Sequence, residues 1–425
     1  MASNNSASAS ARTTNGNGSA TIVESNFANE MLRAIVAAHS TENVIISPLQ
    51  LEALFTLLYL GSDGSTAEEL QRVLQLKRFA SNAKMANHFA TELQLSTDVA
   101  ADTHMQMCNE LLLPEQLEIG DEFCKIAQKY FHTTAVQRDL CSPPKLRAQL
   151  DEDLAKVAEG YAWRITDATL STAATPDAAS AIVLAAVHFQ NKWFLPFSAY
   201  RTGLYDFHLS ADDAPAANAT SATAAVPMLF DDDMFVKFAE FRELDARAIE
   251  LPYEHDYELA MLVLLPNRRD GLAALEKQLQ SADLNALTER MQMESVQVLL
   301  PKFSIDFECS LRRYLEQLGL TKIFSKASNF KNMLAENSTA SLTIADILHK
   351  VCIEVNESGT EGVNSVVSRD QHAFITSIRF KNEIVTYCDG KICTCLLRSQ
   401  PLQALHARAT RGYLFARGPK CDLLK

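Results

Sequence analysis

The chain has 425 residues, 47% of them hydrophobic, with only 14 Gly and 13 Pro. The length could hold two or three domains, but this composition predicts one large, well-buried body without a linker. The net charge of −13 is spread along the chain, which argues against a nucleic-acid partner and against a polybasic membrane patch. No apolar run approaches membrane-spanning length, and no internal repeat is visible.

Residues 1–24 are dominated by Ala, Ser, Asn, Thr and Gly, without the apolar stretch that a secretory signal needs. They are expected to form a disordered extension, followed by a single domain over 25–425. Helical periodicity dominates the first half and strand-like runs dominate from Val226, which suits a mixed α+β class. Asn43 to Leu70 reads NVIISPLQLEALFTLLYLGSDGSTAEEL. It resembles a known family's opening, in which a short strand leads to a buried helix started at Ser-Pro, here Ser47-Pro48, and a Gly-containing loop with a Thr N-cap starts the next helix. A further helix is expected over Leu150 to Ile165. Ala185 to Phe197, AAVHFQNKWFLPF, resembles the same family's strand with a central tryptophan, here Trp193. Strand-like segments follow at Val226–Phe230, Ile249–Tyr253, Ala260–Pro266 and Leu300–Ile305, and Leu315–Phe324 reads LEQLGLTKIF.

Lys350 to Val355 predicts another strand, which breaks into Asn356-Glu357-Ser358-Gly359-Thr360-Glu361-Gly362. These residues carry almost no bulk, so the segment can be loop in one state and strand in another.

Two constellations invite a catalytic or metal reading. Cys388, Cys393 and Cys395 form C-x4-C-x-C, but no second Cys or His pair stands at zinc spacing. The two at i and i+2 fall in the strand-like run Lys391 to Leu397 and read as small apolar residues there. His188, His349 and His372 could each act as a general base, yet no G-x-S-x-G accompanies them. No catalytic residue, no metal and no cofactor are therefore assigned. Nine cysteines in no spaced framework suit a reducing compartment. A cytoplasmic location is expected. The alternative is extracellular, where the sequons at Asn218, Asn337 and Asn356 would matter.

In their order along the chain, these segments resemble the serpin family from about residue 25 to residue 417. The family's closing strand survives in part: Tyr413 to Arg417 (YLFAR) fits it and Gly418-Pro419-Lys420-Cys421 does not. The resemblance implies the serpin fold, α+β with three β-sheets, about eight to nine helices and an exposed reactive loop near 357–380. It implies a monomeric, irreversible inhibitor of a trypsin-, chymotrypsin- or elastase-like serine protease. Cleavage of the loop would let it insert into the main sheet. The alternative is a non-inhibitory serpin that acts as a binding, carrier or storage protein.

The hinge of that loop is placed at Glu357, Gly359, Thr360, Glu361, Gly362 and Asn364, with Thr360 expected to pass from solvent into the sheet on insertion. Alternation then turns Gly362, Asn364, Val366, Ser368 and Asp370 inward as well. Asn364 would cost about 1–3 kcal/mol there if left unsatisfied. Family spacing from Glu357 puts the scissile bond at Ala373–Phe374. The longer-than-usual chain that follows leaves Arg369–Asp370 and Arg379–Phe380 as alternatives. Trp193, Lys302, His349 and Ser47 fall where the family holds its sheet closed, Lys302 complementing Glu357 in charge. Gln50 and Ala185 replace the serine and asparagine that usually accompany the buried histidine. The hydrogen-bond network is thus thinned, so that either the balance between states is shifted or other residues compensate.

Overall fold

The computed structural model describes residues 27–39, 43–97, 104–140, 142–157, 164–166, 180–208, 223–254, 259–268, 271–279, 282, 284–336, 338–360, 377–379, 395–399 and 415–416. Six longer helices are α1 (Phe27–Ala38), α2 (Pro48–Gly61), α3 (Gly64–Val73), α4 (Asn82–Thr97), α5 (Asp121–Phe131) and α6 (Pro143–Val157). Three short ones follow at Leu272–Leu279, Leu284–Glu289 and Arg312–Gln317. The strands are β1 (Ile45–Ile46), β2 (His104–Pro114), β3 (Thr133–Arg138), β4 (Ser180–Lys192), β5 (Gly203–His208), β6 (Thr223–Phe241), β7 (Ala246–Pro252) and β8 (Leu259–Pro266). They continue with β9 (Gln292–Pro301), β10 (Phe303–Ser310), β11 (Thr343–Val355), β12 (Gly359–Thr360), β13 (Ser377–Arg379), β14 (Cys395–Ser399) and β15 (Phe415–Ala416).

One sheet has six strands in the order β10-β11-β12-β4-β2-β3. The other nine strands form a continuous assembly, β1-β15-β14-β8-β7-β6-β9-β13 with β5 on β6. The long strand β6 divides this assembly. Its register against β9 shifts between Asp231 and Met234; the first part carries β5 and the second carries β7. Two hydrogen-bonded sheets with their helices result, the α+β architecture that the sequence implied, and two of the three sheets expected are continuous through β6.

Below the two-residue β12, β4 and β11 pair directly and in parallel, from Thr343 opposite Ser180 to Ile353 opposite Phe189. This seam is central to the protein. β4 reads SAIVLAAVHFQNK and is buried on both faces, as a strand covered by other elements on each side must be. Its odd-numbered residues Ala181 to Phe189 join the large core that includes α2 and extends from Phe27 to Val355. Its even-numbered residues Ile182, Leu184 and Ala186 join a smaller cluster with Leu146, Leu150 and Leu154 of α6. By contrast, β10 buries Phe303, Ile305, Phe307 and Cys309 in alternation, the pattern of a strand with one wet face.

Some expected boundaries move. The helix expected over 150–165 is α6, which starts at Pro143, where proline is tolerated because a first-turn N–H has no helical acceptor. Ile165 is buried outside any helix. Asp63, not a threonine, occupies the N-cap of α3, with extended backbone at φ −145° and ψ 165°. Thr66 lies one turn in, its Oγ1 accepting the Asn329 N–H at 3.0 Å. β11 begins at Thr343, seven residues ahead of the expected Lys350. Cys388 and Cys393 lie outside the described residues, and Cys395 opens β14.

Candidate functional site

The chain leaves β11 at Val355 and doubles back within four residues. Asn356 makes the turn: its backbone N–H donates to Gly359 O at 2.8 Å, and its Oδ1 accepts from the N–H groups of Ser358 and Gly359 at 2.9 and 3.1 Å. Asn is suited to this, because its short side chain mimics a backbone turn. Gly359 and Thr360 then enter the top of the seam as β12, with Thr360 opposite both Val355 and Asn191, and Gly359 opposite Lys192. A Cβ on Gly359 would stand 2.1 Å from Asn191 O and 2.5 Å from Lys192 Cα, so only glycine fits.

Thr360 is fully buried in this state. The expectation that its side chain waits in solvent is corrected: it already occupies the sheet, its hydroxyl 2.9 Å from Tyr253 Oη. The physical reason is local. The Asn356 turn aims the next two residues into the gap, and Thr is small enough to be accepted there. Tyr253 in turn stacks on Trp193, with ring centroids 4.6 Å apart and planes at 9°, and meets Phe189 edge-on.

Trp193 secures the turn from above. Its Nε1 donates to Asn356 O at 3.0 Å and its backbone N–H to Ser358 O at 2.8 Å, while the Phe197 N–H donates to Glu357 O at 2.8 Å. The Glu357 carboxylate accepts from Lys302 Nζ and from Thr202 Oγ1, both at 2.9 Å. Burial pushes the Glu357 carboxyl up, but the hydrogen bonds from Lys302 and Thr202 outweigh it and hold the group below the usual range. The structure thus brings Trp193, Lys302, Glu357, Gly359 and Thr360 together at one end of the seam.

His349 and Ser47 meet lower down. The Ser47 N–H donates to His349 Nε2 at 3.1 Å, so Nδ1 carries the proton and donates to Ala185 O at 2.9 Å across the seam. Complete burial pushes this imidazole down to about 4. Gln50 does not leave the network thin. Its Nε2 donates to Asn109 Oδ1 at 2.6 Å and to Ala186 O at 2.9 Å, and Asn109 Nδ2 reaches Phe131 O at 3.4 Å. Compensation therefore comes from Asn109, on β2. Gln50 Oε1 and both amide atoms of the buried Asn191 have no partner among the described residues, each a cost of roughly 1–3 kcal/mol.

Sequence reasoning missed Asn109, Asn191, Thr202 and the contact role of Tyr253. Only Tyr253 carried a signal, as the last residue of IELPY. Glu361, Gly362, Asn364, Arg369, Asp370, Ala373, Phe374 and Phe380 lie outside the described residues; Arg379 closes β13.

Comparison with known proteins agrees with this geometry. Residues 23–383 match the family described as Serpin (serine protease inhibitor). Serine protease inhibitor 42Dd of Drosophila melanogaster is 25% identical over 358 residues, 84% of this chain and 90% of that protein. The leukocyte elastase inhibitor of Xenopus tropicalis is 25% identical, over 79% of this chain and 85% of its own. Among solved structures, a thyroxine-binding globulin complex with thyroxine superposes with a TM-score of 0.73 at 18% identity, covering 93% of this chain and 97% of that one. With its six-stranded sheet, its central seam and a family match over most of its length, the chain belongs to the serpin family.

Proposed function

We propose that this serpin irreversibly inhibits a serine endopeptidase. The protease's serine attacks a bond in the loop after Thr360 and forms an acyl-enzyme. The freed N-terminal side of the loop then enters the seam between β4 and β11 before water can release it. The supporting observation is β12. Thr360 already pairs with both neighbours, and Gly359 with β4, in the register that a longer inserted strand would continue. Continued, that register sets Gly362 between Phe189 and Ile353, Asn364 between Val187 and Val351, and Val366 between Ala185 and His349. Apart from His349 these flanking residues are apolar, and all are buried, so small or apolar guests suit them. Insertion would give the new strand hydrogen bonds on both edges.

On this reading the protein is a substrate and trap rather than a catalyst. Both nitrogens of His349 are engaged with backbone groups, which leaves none to activate a nucleophile. The scissile bond is placed at Ala373–Phe374. β13 supports this choice over Arg379–Phe380, because Arg379 is paired with Gln297 and a protease needs an unpaired, extended segment. Arg369–Asp370 remains the alternative. Ala373 suits a small, elastase-like pocket, and an inhibitor named for leukocyte elastase is among the relatives. We place the functional unit at 25–425, as a monomer in the cytoplasm. Among the described residues Cys108 and Cys124 are free thiols, which fits a reducing compartment.

Asn364 supports a second reading, a non-inhibitory binding or carrier serpin, because its amide would enter an apolar stretch of the seam. Incubation with trypsin-, chymotrypsin- and elastase-like proteases separates the two. The inhibitor gives an SDS-resistant covalent complex and a small C-terminal fragment beginning at Phe374. Cleavage without complex at every protease tried supports the carrier reading, and a new terminus outside Asp370 to Phe380 removes all three candidate bonds.

A further inference from the structure

Among the described residues six large hydrophobic side chains are exposed, and four of them, Phe194, Leu195, Tyr200 and Leu204, fall in one short stretch from the end of β4 into β5. Single exposed apolar residues are ordinary, whereas a cluster of them rimmed by polar groups marks a surface that another protein covers. Tyr200 is wholly exposed and Leu204 is 72% exposed. The stretch is nonetheless held in place. The Phe194 N–H donates to Pro252 O at 2.9 Å, and the Phe197 N–H and Thr202 Oγ1 both donate to Glu357. Arg201 ends the short 3-10 turn Ala199–Arg201, its guanidinium 5.8 Å from the Phe230 ring and paired with Asp232. Leu195 stands two residues before Phe197 and Leu204 two after Thr202, so each lies within about 7 Å of chain from a contact with Glu357. The rim is acidic: Asp206, Asp232 and Asp233 are exposed, against Arg201 and, at the end of β4, Lys192.

The two described ends of the loop flank this stretch. One end is Thr360, just past the turn that Phe197 and Thr202 hold at Glu357. The other is Ser377, which opens β13. β5, β6, β9 and β13 are successive neighbours in one sheet. Ser377 lies opposite Leu299, and Leu299 opposite Phe230, so one row of residues crosses from β13 to the ring that Arg201 covers. That row spans two interstrand spacings, about 10 Å. Ala373 stands four positions before Ser377, at most about 14 Å of chain away. A specific interface covers about 800 Å² of each partner, roughly 28 Å across. A protease centred on Ala373–Phe374 therefore reaches Tyr200 and Leu204 from where it grips the loop.

We infer that Phe194, Leu195, Tyr200 and Leu204 form a docking surface for the protease that cuts the loop, which meets it with an apolar patch and a cationic rim. This rests on the proposed function above for its occupant. A second copy of the chain is a poorer fit, because a two-fold contact would set the same acidic rim against itself. A cationic protease is instead steered to the surface by Asp206, Asp232 and Asp233, an attraction that salt screens. The apolar side chains then hold it there, tyrosine being among the residues on which interface energy concentrates. The surface acts on the encounter that precedes attack on the loop. Entry of the cut loop between β4 and β11 is a separate, later event.

The test is the second-order rate at which cationic members of the trypsin-, chymotrypsin- and elastase-like panel cut the loop of the full chain. Complex and cleaved protein are counted together, so the encounter is read whether or not trapping follows. Tyr200→Ser with Leu204→Ser should slow that rate roughly tenfold. Both side chains are exposed, so the melting temperature should not move. Asp206→Lys should also slow cleavage in dilute buffer, the difference fading as salt is raised. A rate equal to wild type in the double variant overturns the inference, and an equal rate in Asp206→Lys overturns its cationic rim. If the double variant fails to fold, Asp206→Lys decides alone. A wild-type chain that sediments as a dimer, and as a monomer once Tyr200 and Leu204 are replaced, gives the surface to a second copy and overturns the assignment to a protease. Slower cleavage with no covalent complex in any of the proteins removes the inhibitory reading and leaves the surface standing. Trapping at a rate the substitutions leave untouched does the reverse, and a loop that no protease cuts removes both.

Discussion

At the residue scale, Gly359 carries the most restrictive demand in the site. Its neighbours are backbone atoms of β4, 2.1 and 2.5 Å from where a Cβ would lie, and backbone in a paired strand cannot retreat. Gly359→Ala should therefore expel β12, expose Thr360 and loosen the stack of Trp193 on Tyr253. The expected readouts are a red shift of tryptophan emission and a loss of about 1–3 kcal/mol in urea unfolding. Unchanged emission would show that the turn at Asn356 can hold β12 in place alone. His349 gives a prediction in pH. His88, His188 and His349 are each held down to about 4, chiefly by burial. The unfolded chain, with histidines near 6.5, takes up these protons first, so stability falls as pH drops from about 6.5 towards about 4. His349 is fully buried and accounts for up to ~3 kcal/mol of that loss. His349→Gln should make the acid side of the stability profile shallower, with His88 and His188 still contributing, measured as urea midpoints across that range.

At the element scale, the question is how far β12 can grow. Two residues of it are seated, and the next inward positions run between Phe189 and Ile353, then between Val187 and Val351. Thr360→Arg would force a guanidinium into the fully buried seat beside Tyr253 and Asn191, a penalty of several kcal/mol. Even about 1.4 kcal/mol on the entry barrier slows insertion tenfold. This variant should keep its fold and its cleavage site and lose covalent complex on SDS gels. Asn364→Ala removes the one amide among the early inward residues and should raise the complex yield. If neither wild type nor Asn364→Ala with Gly362→Ala forms any complex, the inhibitory reading fails. The seating of Thr360 also alters what the arginine variant tests, since it should already lower the melting temperature of the uncleaved protein.

At the scale of the whole molecule, the seam is the weak line of a tightly packed body. β4 and β11 pair along ten registered positions, yet both keep buried faces that a new strand could share. Full insertion would turn a parallel contact into two antiparallel ones, which are the more stable per residue. Loop cleavage by a non-target protease should therefore raise the thermal midpoint of the chain. An unchanged midpoint after complete cleavage, followed by calorimetry, would assign the protein to the serpins that bind without inserting.

The sequence by itself determined the fold class and the order of elements. Those depend on local periodicity and turn chemistry: the strand-like runs from Val226 onward, the Ser47-Pro48 opening of α2, and the bulkless run after Val355. It also located Trp193, Lys302, His349 and Glu357, since each stands in a recognisable string. The tertiary structure alone decided which state the hinge occupies, because the seat of Thr360 is made by Tyr253 and Asn191, more than a hundred residues away. It alone paired Gln50 with Asn109, which are 59 positions apart and carry no common local pattern. Helix α6 shows the same division. A helix from Leu150 is legible in the sequence, but that Leu150 and Leu154 pack on both β4 and β11 follows only from how the sheet faces pack. Side-chain period fixes which residues share a face; it does not fix what that face meets.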